Sequence, residues 1–225
     1  MTEGGSIMAT EMAFTIGPVA VSWTVVTTWG LMAFLVLVFG LSTLRMKKHP
    51  GPWQAVVEYL VQTLNGQIES VIRRPGWPYL PLIGTLFIFL VSANLLAVVP
   101  GPEAPTVHIE TAAALAVIVF FSTHYFGIRT QGLKKYLARY IEPNPVLLPL
   151  HILSELTRTF SLMVRLTGNI MSHELVIGVV IMLAGLFVPV PLMALAILIA
   201  LVQAYIFTVL ATVFIGAAIG KVKEG

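Results

Sequence analysis

Apolar residues run almost unbroken through five tracts of this chain, separated by short groups of charges and helix breakers. The first, about residues 19–44, ends in Arg45, Lys47, Lys48 and His49 ahead of Pro50-Gly51-Pro52. The second, about 79–99, stops at Pro100-Gly101-Pro102, and the third, about 111–128, leads into Arg129, Lys134, Lys135 and Arg139. A fourth tract, about 146–187, and a fifth, about 192–220, are joined through Val188-Pro189-Val190-Pro191. Since roughly 20 helical residues cross the ~30 Å hydrocarbon core, each tract is long enough to span a bilayer. Residues 53–74 differ. There Val56, Val57, Leu60, Val61, Leu64, Ile68, Val71 and Ile72 recur at helical spacing between Gln54, Glu58, Gln62, Asn65, Glu69, Arg73 and Arg74, which predicts an amphipathic helix at the interface. The pattern predicts an all-α, multi-pass integral membrane protein with about five membrane helices and one interfacial helix.

The fourth tract is too long for an upright span. Its roughly 40 residues make a helix of about 60 Å, against about 44 Å for the last, so a strongly tilted C-terminal hairpin is expected. Composition agrees with a membrane protein: 57% of the 225 residues are hydrophobic and 10% charged, less than half the roughly 25% of soluble domains. A water-soluble enzyme is excluded on that ground, and the absence of Cys excludes disulfides, thiolate nucleophiles and Cys-held metals. Of thirteen Lys and Arg, all but Arg158 and Arg165 follow the first, third and fifth tracts. Positive-inside bias then places the N-terminus outside and the C-terminus in the cytoplasm. Residues 1–18 carry no Lys or Arg and so lack the basic start of a secretory signal. The chain is read as a single membrane domain: outer tail, first span and surface helix in 1–78, two spans in 79–140, and a tilted helix pair in 146–220.

Arg158 and Arg165 lie inside the fourth tract, where an arginine costs roughly 2.5–3.5 kcal/mol and normally faces a water-filled cavity or a partner. At about 100° per residue, His151, Ser154, Arg158, Ser161, Asn169 and Ser172 all fall within about 40° of Arg165, forming one polar stripe with Leu156, Val164, Ile170 and Leu175 opposite. Arg158 has Glu155 three residues earlier, and the two can satisfy each other as an ordinary ion pair. Arg165 has no such acid, because Glu174 falls about 180° away; a partner from outside the helix is implied. His173 and Glu174 are candidates for titration in an aqueous path, or a pair packed beside another span. Gln203 in the last tract reads either as interhelical glue or as a group facing Arg165, and Asn94 has the same ambiguity with glue favoured. His124, His108 and Glu110 are weaker candidates.

The stretches RTFSLMVRLTGNIMSHEL, residues 158–175, and LVQAYIFTVLATVF, residues 201–214, resemble membrane subunit a of rotary F-type ATP synthases. The matching motifs are Arg165, Gly168-Asn169, Glu174-Leu175 and Gln203-Ala204-Tyr205-Ile206-Phe207, supported by residues 100–106 and 141–145; the first 78 residues match only in the order of their segments. The resemblance implies a non-catalytic stator subunit, beside a rotating c-subunit ring, with two aqueous half-channels carrying H⁺ or Na⁺ to and from a ring carboxylate. It implies that Arg165 is the stator charge, that Glu174 and His173 line one half-channel, and that Asn169 and Gln203 flank the arginine. Secondary candidates are Arg158, Glu155, Asn94, His124 and Glu110. Implied partners are the c ring, peripheral-stalk b subunits and the lipid of a bacterial plasma membrane, with no cofactor, metal or nucleic acid. Where many bacterial members carry a His seven residues before the final-helix Gln, this chain has Ala196, and His173 is the candidate substitute.

A small ion-coupled secondary transporter is the alternative, but such proteins show repeated halves and matching broken spans, which are missing here. A purely structural subunit leaves the mid-membrane Arg165 unexplained, and a voltage sensor needs more than two arginines at three-residue spacing. No GxxxxGK[ST] motif occurs, so coupling to ATP resides in other subunits.

Overall fold

The computed structural model describes residues 12–16, 19–44, 51–96, 109–141, 146, 148–184 and 189–220. Helices dominate: α1 (Trp23–Leu44), α2 (Pro52–Ile72), α3 (Leu80–Leu96), α4 (Ile109–Gln131), α5 (Leu133–Ile141), α6 (Leu148–Ala184) and α7 (Pro189–Ile219). By length and composition Trp23–Thr43, Ile109–Gln131 and Pro191–Ile219 suffice to cross a membrane. α3 is apolar but, at 17 residues, shorter, and the 37 residues of α6 carry the charges expected of the fourth tract. At 1.5 Å per residue α6 is about 56 Å long, so it exceeds the ~30 Å core unless inclined or extended into the cytoplasm.

Two elements were not expected. Residues 19–22, assigned from hydropathy to the first span, form a strand instead: Val19–Ser22 (β2) pairs antiparallel with Met12–Ile16 (β1), with an irregularity between Met12 and Phe14. The basic stretch after the third tract, where no helix is expected from hydropathy, contains the nine-residue helix α5. Gly132 makes the turn into it at φ +81°, a conformation open to glycine, its N–H bonding Ile128 O at 2.8 Å.

α7 is the hub, packing against α2, α3, α4 and α6. One core joins Phe89, Leu90 and Ala93 of α3, Ala112 and Ala116 of α4, Leu162 and Leu166 of α6, and Ala204, Phe207 and Ala211 of α7. The alanines let helix backbones approach closely, which matters in lipid, where packing replaces the hydrophobic drive between helices. A second core, Ile68, Ile72, Tyr79, Ile83, Ile215 and Ile219, seats α2 against α3 and α7. α2 begins with Pro52 in its first turn and ends at Arg73 in the left-handed region, whose N–H bonds Glu69 O. The Glu69 carboxylate accepts from Asn65 Nδ2 at 2.9 Å and Gly76 N at 3.1 Å, closing the turn toward α3.

Further side-chain bonds tie α7 to its neighbours. Asn94 Nδ2 donates to Ala200 O at 3.2 Å, Gln67 bonds the Tyr205 hydroxyl, and Gln131 Nε2 reaches Ala218 O at 2.8 Å. Arg74 donates to Gly220 O at 3.4 Å, placing a cation at the negative end of the helix dipole. Thr208 and Thr212 satisfy their hydroxyls within α7, on Ala204 O and Thr208 O.

Candidate functional site

α6 presents three sides rather than two. Leu162 and Leu166, 2% and 0% exposed, pack into the bundle. On the polar stripe His151, Ser154, Ser161, Arg165, Asn169 and Ser172 are exposed, and on the side expected to be the apolar rear Leu156, Val164 and Leu175 are exposed too. The packed flank thus lies between stripe and rear, leaving one polar and one apolar side of the helix uncovered. Arg165 makes no hydrogen bond or ion pair with another described residue.

One turn beyond Arg165, Asn169 Nδ2 donates to Gln203 Oε1 at 2.7 Å, closing the α6–α7 contact. Of the two roles expected for Gln203, the observed bond is to Asn169 and not to Arg165. Gln203 is 3% exposed, and its Nε2 has no hydrogen-bond partner among the described residues. Asn94 holds the preceding turn of α7 through Ala200 O, while its own buried Oδ1 is likewise unpartnered. Asn94 therefore acts as interhelical glue, and the α3–α7 contact carries one orphan acceptor, on Asn94 of α3, and one orphan donor, on Gln203 of α7. Such buried groups call for water or another partner.

Toward the start of α6 a second polar group surrounds a cavity of about 150 Å³ between α4, α5, α6 and α7. The Glu155–Arg158 ion pair expected from their spacing is absent. Arg158 instead lies over the Phe214 ring, 4.6 Å from its centroid, and Glu155 accepts from Tyr140 Oη at 3.3 Å. Tyr140 is bonded in turn to Tyr136 Oη at 3.0 Å. Burial first, then the Tyr136 hydrogen bond and the Glu155 charge, push the Tyr140 phenol well above its ordinary range. Both tyrosines escaped the sequence reading; the signal available was their i, i+4 spacing in a strongly amphipathic stretch.

The remaining candidates lie apart or outside view. His124 Nδ1 bonds Phe120 O at 2.8 Å within α4, and its ring lies between Phe120, at a tilt, and Tyr136, edge-on. Glu110 is exposed in the first turn of α4. His173 and Glu174 belong to α6, but their side chains fall outside the described residues, as do His108 and residues 100–106 and 142–145. Ala196 is buried, 6% exposed. Among the described residues no three His, Asp or Glu gather as metal ligands.

A multi-pass helical membrane protein with an arginine unpaired among the described residues and further polar groups on the open side of a span-length helix falls in the class of membrane proteins that move ions. The family model for the ATP synthase A chain matches residues 24–216, and the chain belongs to that family. It is 62% identical over 220 residues to ATP synthase subunit a 2 of Bradyrhizobium sp. strain BTAi1, covering 98% of this chain and 99% of that one. ATP synthase subunit a 2 of Pelobacter propionicus is 47% identical over 214 residues (95% and 94%), and subunit a 1 of Hahella chejuensis 45% over 217 residues (96% and 92%). The resemblance carried by residues 158–175 and 201–214 is thereby established. The chain is a multi-pass membrane component of the ATP synthase, with the stator ion-channel role and no catalysis of its own.

Proposed function

We propose that Arg165 is the fixed stator charge past which the ionisable carboxylates of a c-subunit ring move, and that two offset aqueous paths meet beside it. The observation that carries this reading is an exposed guanidinium, unpaired among the described residues, on the polar side of α6, whose adjacent flank is packed against the bundle. A carboxylate arriving next to that cation is favoured in its ionised form and releases its ion; once past it, the carboxylate reloads. Arginine is suited to the task because it stays charged and cannot relay the proton itself.

The orphan polar atoms of Asn94 and Gln203, leading to Asn169, support an outer path along α3 and α7. Glu174 and His173 are assigned to the same path, with His173 standing in for the His missing at Ala196. The cavity beside Glu155, Tyr140 and His151 supports the path on the opposite, cytoplasmic side. Arg158 flanks that cavity; His124 and Glu110 have no role in this scheme.

The carried ion is H⁺, or Na⁺ if the ring carboxylate is so surrounded. The c ring lies against the polar side of α6, and peripheral-stalk b subunits and lipid cover other surfaces. The setting is a bacterial plasma membrane, N-terminus outside and C-terminus cytoplasmic, with residues 146–220 as the translocating part of one membrane domain. In the test, Arg165→Ala in the assembled complex is expected to abolish ATP-driven ion pumping while assembly persists; coupled pumping at the normal rate refutes the proposal.

A further inference from the structure

Glu155 sits within one turn of an arginine yet is bound by a tyrosine from another element, and the chemistry of that exchange can be followed atom by atom. Tyr140 has one hydroxyl proton, and it points to Glu155 Oε2. Its oxygen must therefore accept in the 3.0 Å contact with Tyr136, so the Tyr136 proton points toward Tyr140 and both protons are oriented toward the carboxylate. Tyr136 is 3% exposed. Its ring occupies space left by Gly127 of α4, where an added Cβ would come within 2.5 Å of the Tyr136 Cε2 atom. Arg158, meanwhile, is drawn to the Phe214 face on α7. The carboxylate is thus held at the cavity by a neutral donor chain and kept out of a contact ion pair that would tie it up.

We propose that Gly127, Tyr136 and Tyr140 form a positioning relay that holds Glu155, free of an ion pair among the described residues, as a carboxylate lining the cytoplasmic cavity, ready to exchange ions with water. The inference rests on the reading of that cavity as an access path. Phenols suit the role because at neutral pH they donate to a carboxylate without adding a competing charge. Among the described residues, the titratable or charged groups around Glu155 are Tyr136 and Tyr140 on α5, and His151 and Arg158 on α6. His124 of α4 lies behind Tyr136, and α7 contributes only Phe214 and alanines to the lining.

The test uses the whole ATP synthase in proteoliposomes, with ATP-driven ion pumping followed across pH. Tyr140→Phe removes the hydroxyl that holds Glu155 and keeps the ring, so the acid-side midpoint of the pumping profile moves upward by about one pH unit. Tyr136→Phe and Gly127→Ala, which reach Glu155 through Tyr140, shift it in the same direction by less. In a Glu155→Gln background Tyr140→Phe adds no further shift, a result that a merely structural tyrosine would not give. An unchanged midpoint in Tyr140→Phe overturns the relay, and so does a downward move, which would mean that Arg158 has captured the carboxylate. Wild-type pumping by Glu155→Gln at every pH overturns the access-path reading itself, whereas impaired pumping by Glu155→Gln with no shift in Tyr140→Phe removes the relay alone.

Discussion

Gln203→Leu separates stability from function. Leucine has nearly the volume of glutamine, so the packing of α7 against α3 and α6 is kept. The substitution removes the 2.7 Å bond from Asn169, and interhelical hydrogen bonds in membranes average about 0.6 kcal/mol. Asn169 is exposed and can re-solvate its amide. The substitution also removes a buried amide nitrogen with no described partner, a group that costs about 1–3 kcal/mol when left unsatisfied. The balance is a stabilisation of about 0.5–2 kcal/mol. Heating of the purified complex, followed by release of this subunit, is expected to show a midpoint equal to or above that of wild type. ATP-driven pumping in vesicles is expected to fall at least tenfold, on the order of one lost polar contact at the site (~1.4 kcal/mol). A loss of more than ~2 kcal/mol in heat tolerance would refute the reasoning, since it would show that the nitrogen has a partner. Undiminished pumping would remove Gln203 from the ion path.

Two further outcomes follow from the packing at the α2–α3 turn and around α5. Gly76→Ala would bring a Cβ to 2.6 Å from Asn65 Oδ1 and 3.0 Å from the Asn65 backbone oxygen. The α2–α3 turn should then open at a cost of about 1–3 kcal/mol, seen as a lower melting midpoint and faster proteolysis near residue 76. Because the Tyr140 phenol is held above its ordinary value of 10, its contribution to stability is complete below that pH and declines as pH rises further. Tyr140→Phe should flatten the alkaline loss of stability, measured as the melting midpoint against pH.

Hydropathy located α1, α3, α4 and α7 to within a few residues because each buries or exposes apolar side chains along nearly its whole length. It missed α5, whose nine residues are too basic and too short to register, and it overran the first span into β2, because a strand of Val19, Ala20 and Val21 is as apolar as a helix. The polar stripe of α6 was legible from helical spacing alone, including the exposure of Arg165 and Asn169. Its partners were not: Glu155 turns to a tyrosine 15 residues earlier, and Arg158 to a phenylalanine on another helix. Local spacing proposed an ion pair, but a ring face and a phenol supplied by the tertiary fold bind the same two groups without bringing opposite charges together. Asn169 and Gln203, 34 residues apart, were each suspected, but only the α6–α7 packing joins them.

α7 is pinned by side-chain bonds near Ala200, at Tyr205, and again at Ala218 and Gly220, each to a different neighbouring segment. Mechanically, α6 is the beam that takes a load and α7 the rail behind it. A sideways push on the open side of α6 passes through Leu162 and Leu166 into the core shared with α4 and α7, and through the Asn169–Gln203 bond into α7, which spreads it over α2, α3 and α4. Stiffness under shear is thus distributed along the rail, and a single substitution at one pin leaves the others carrying the force.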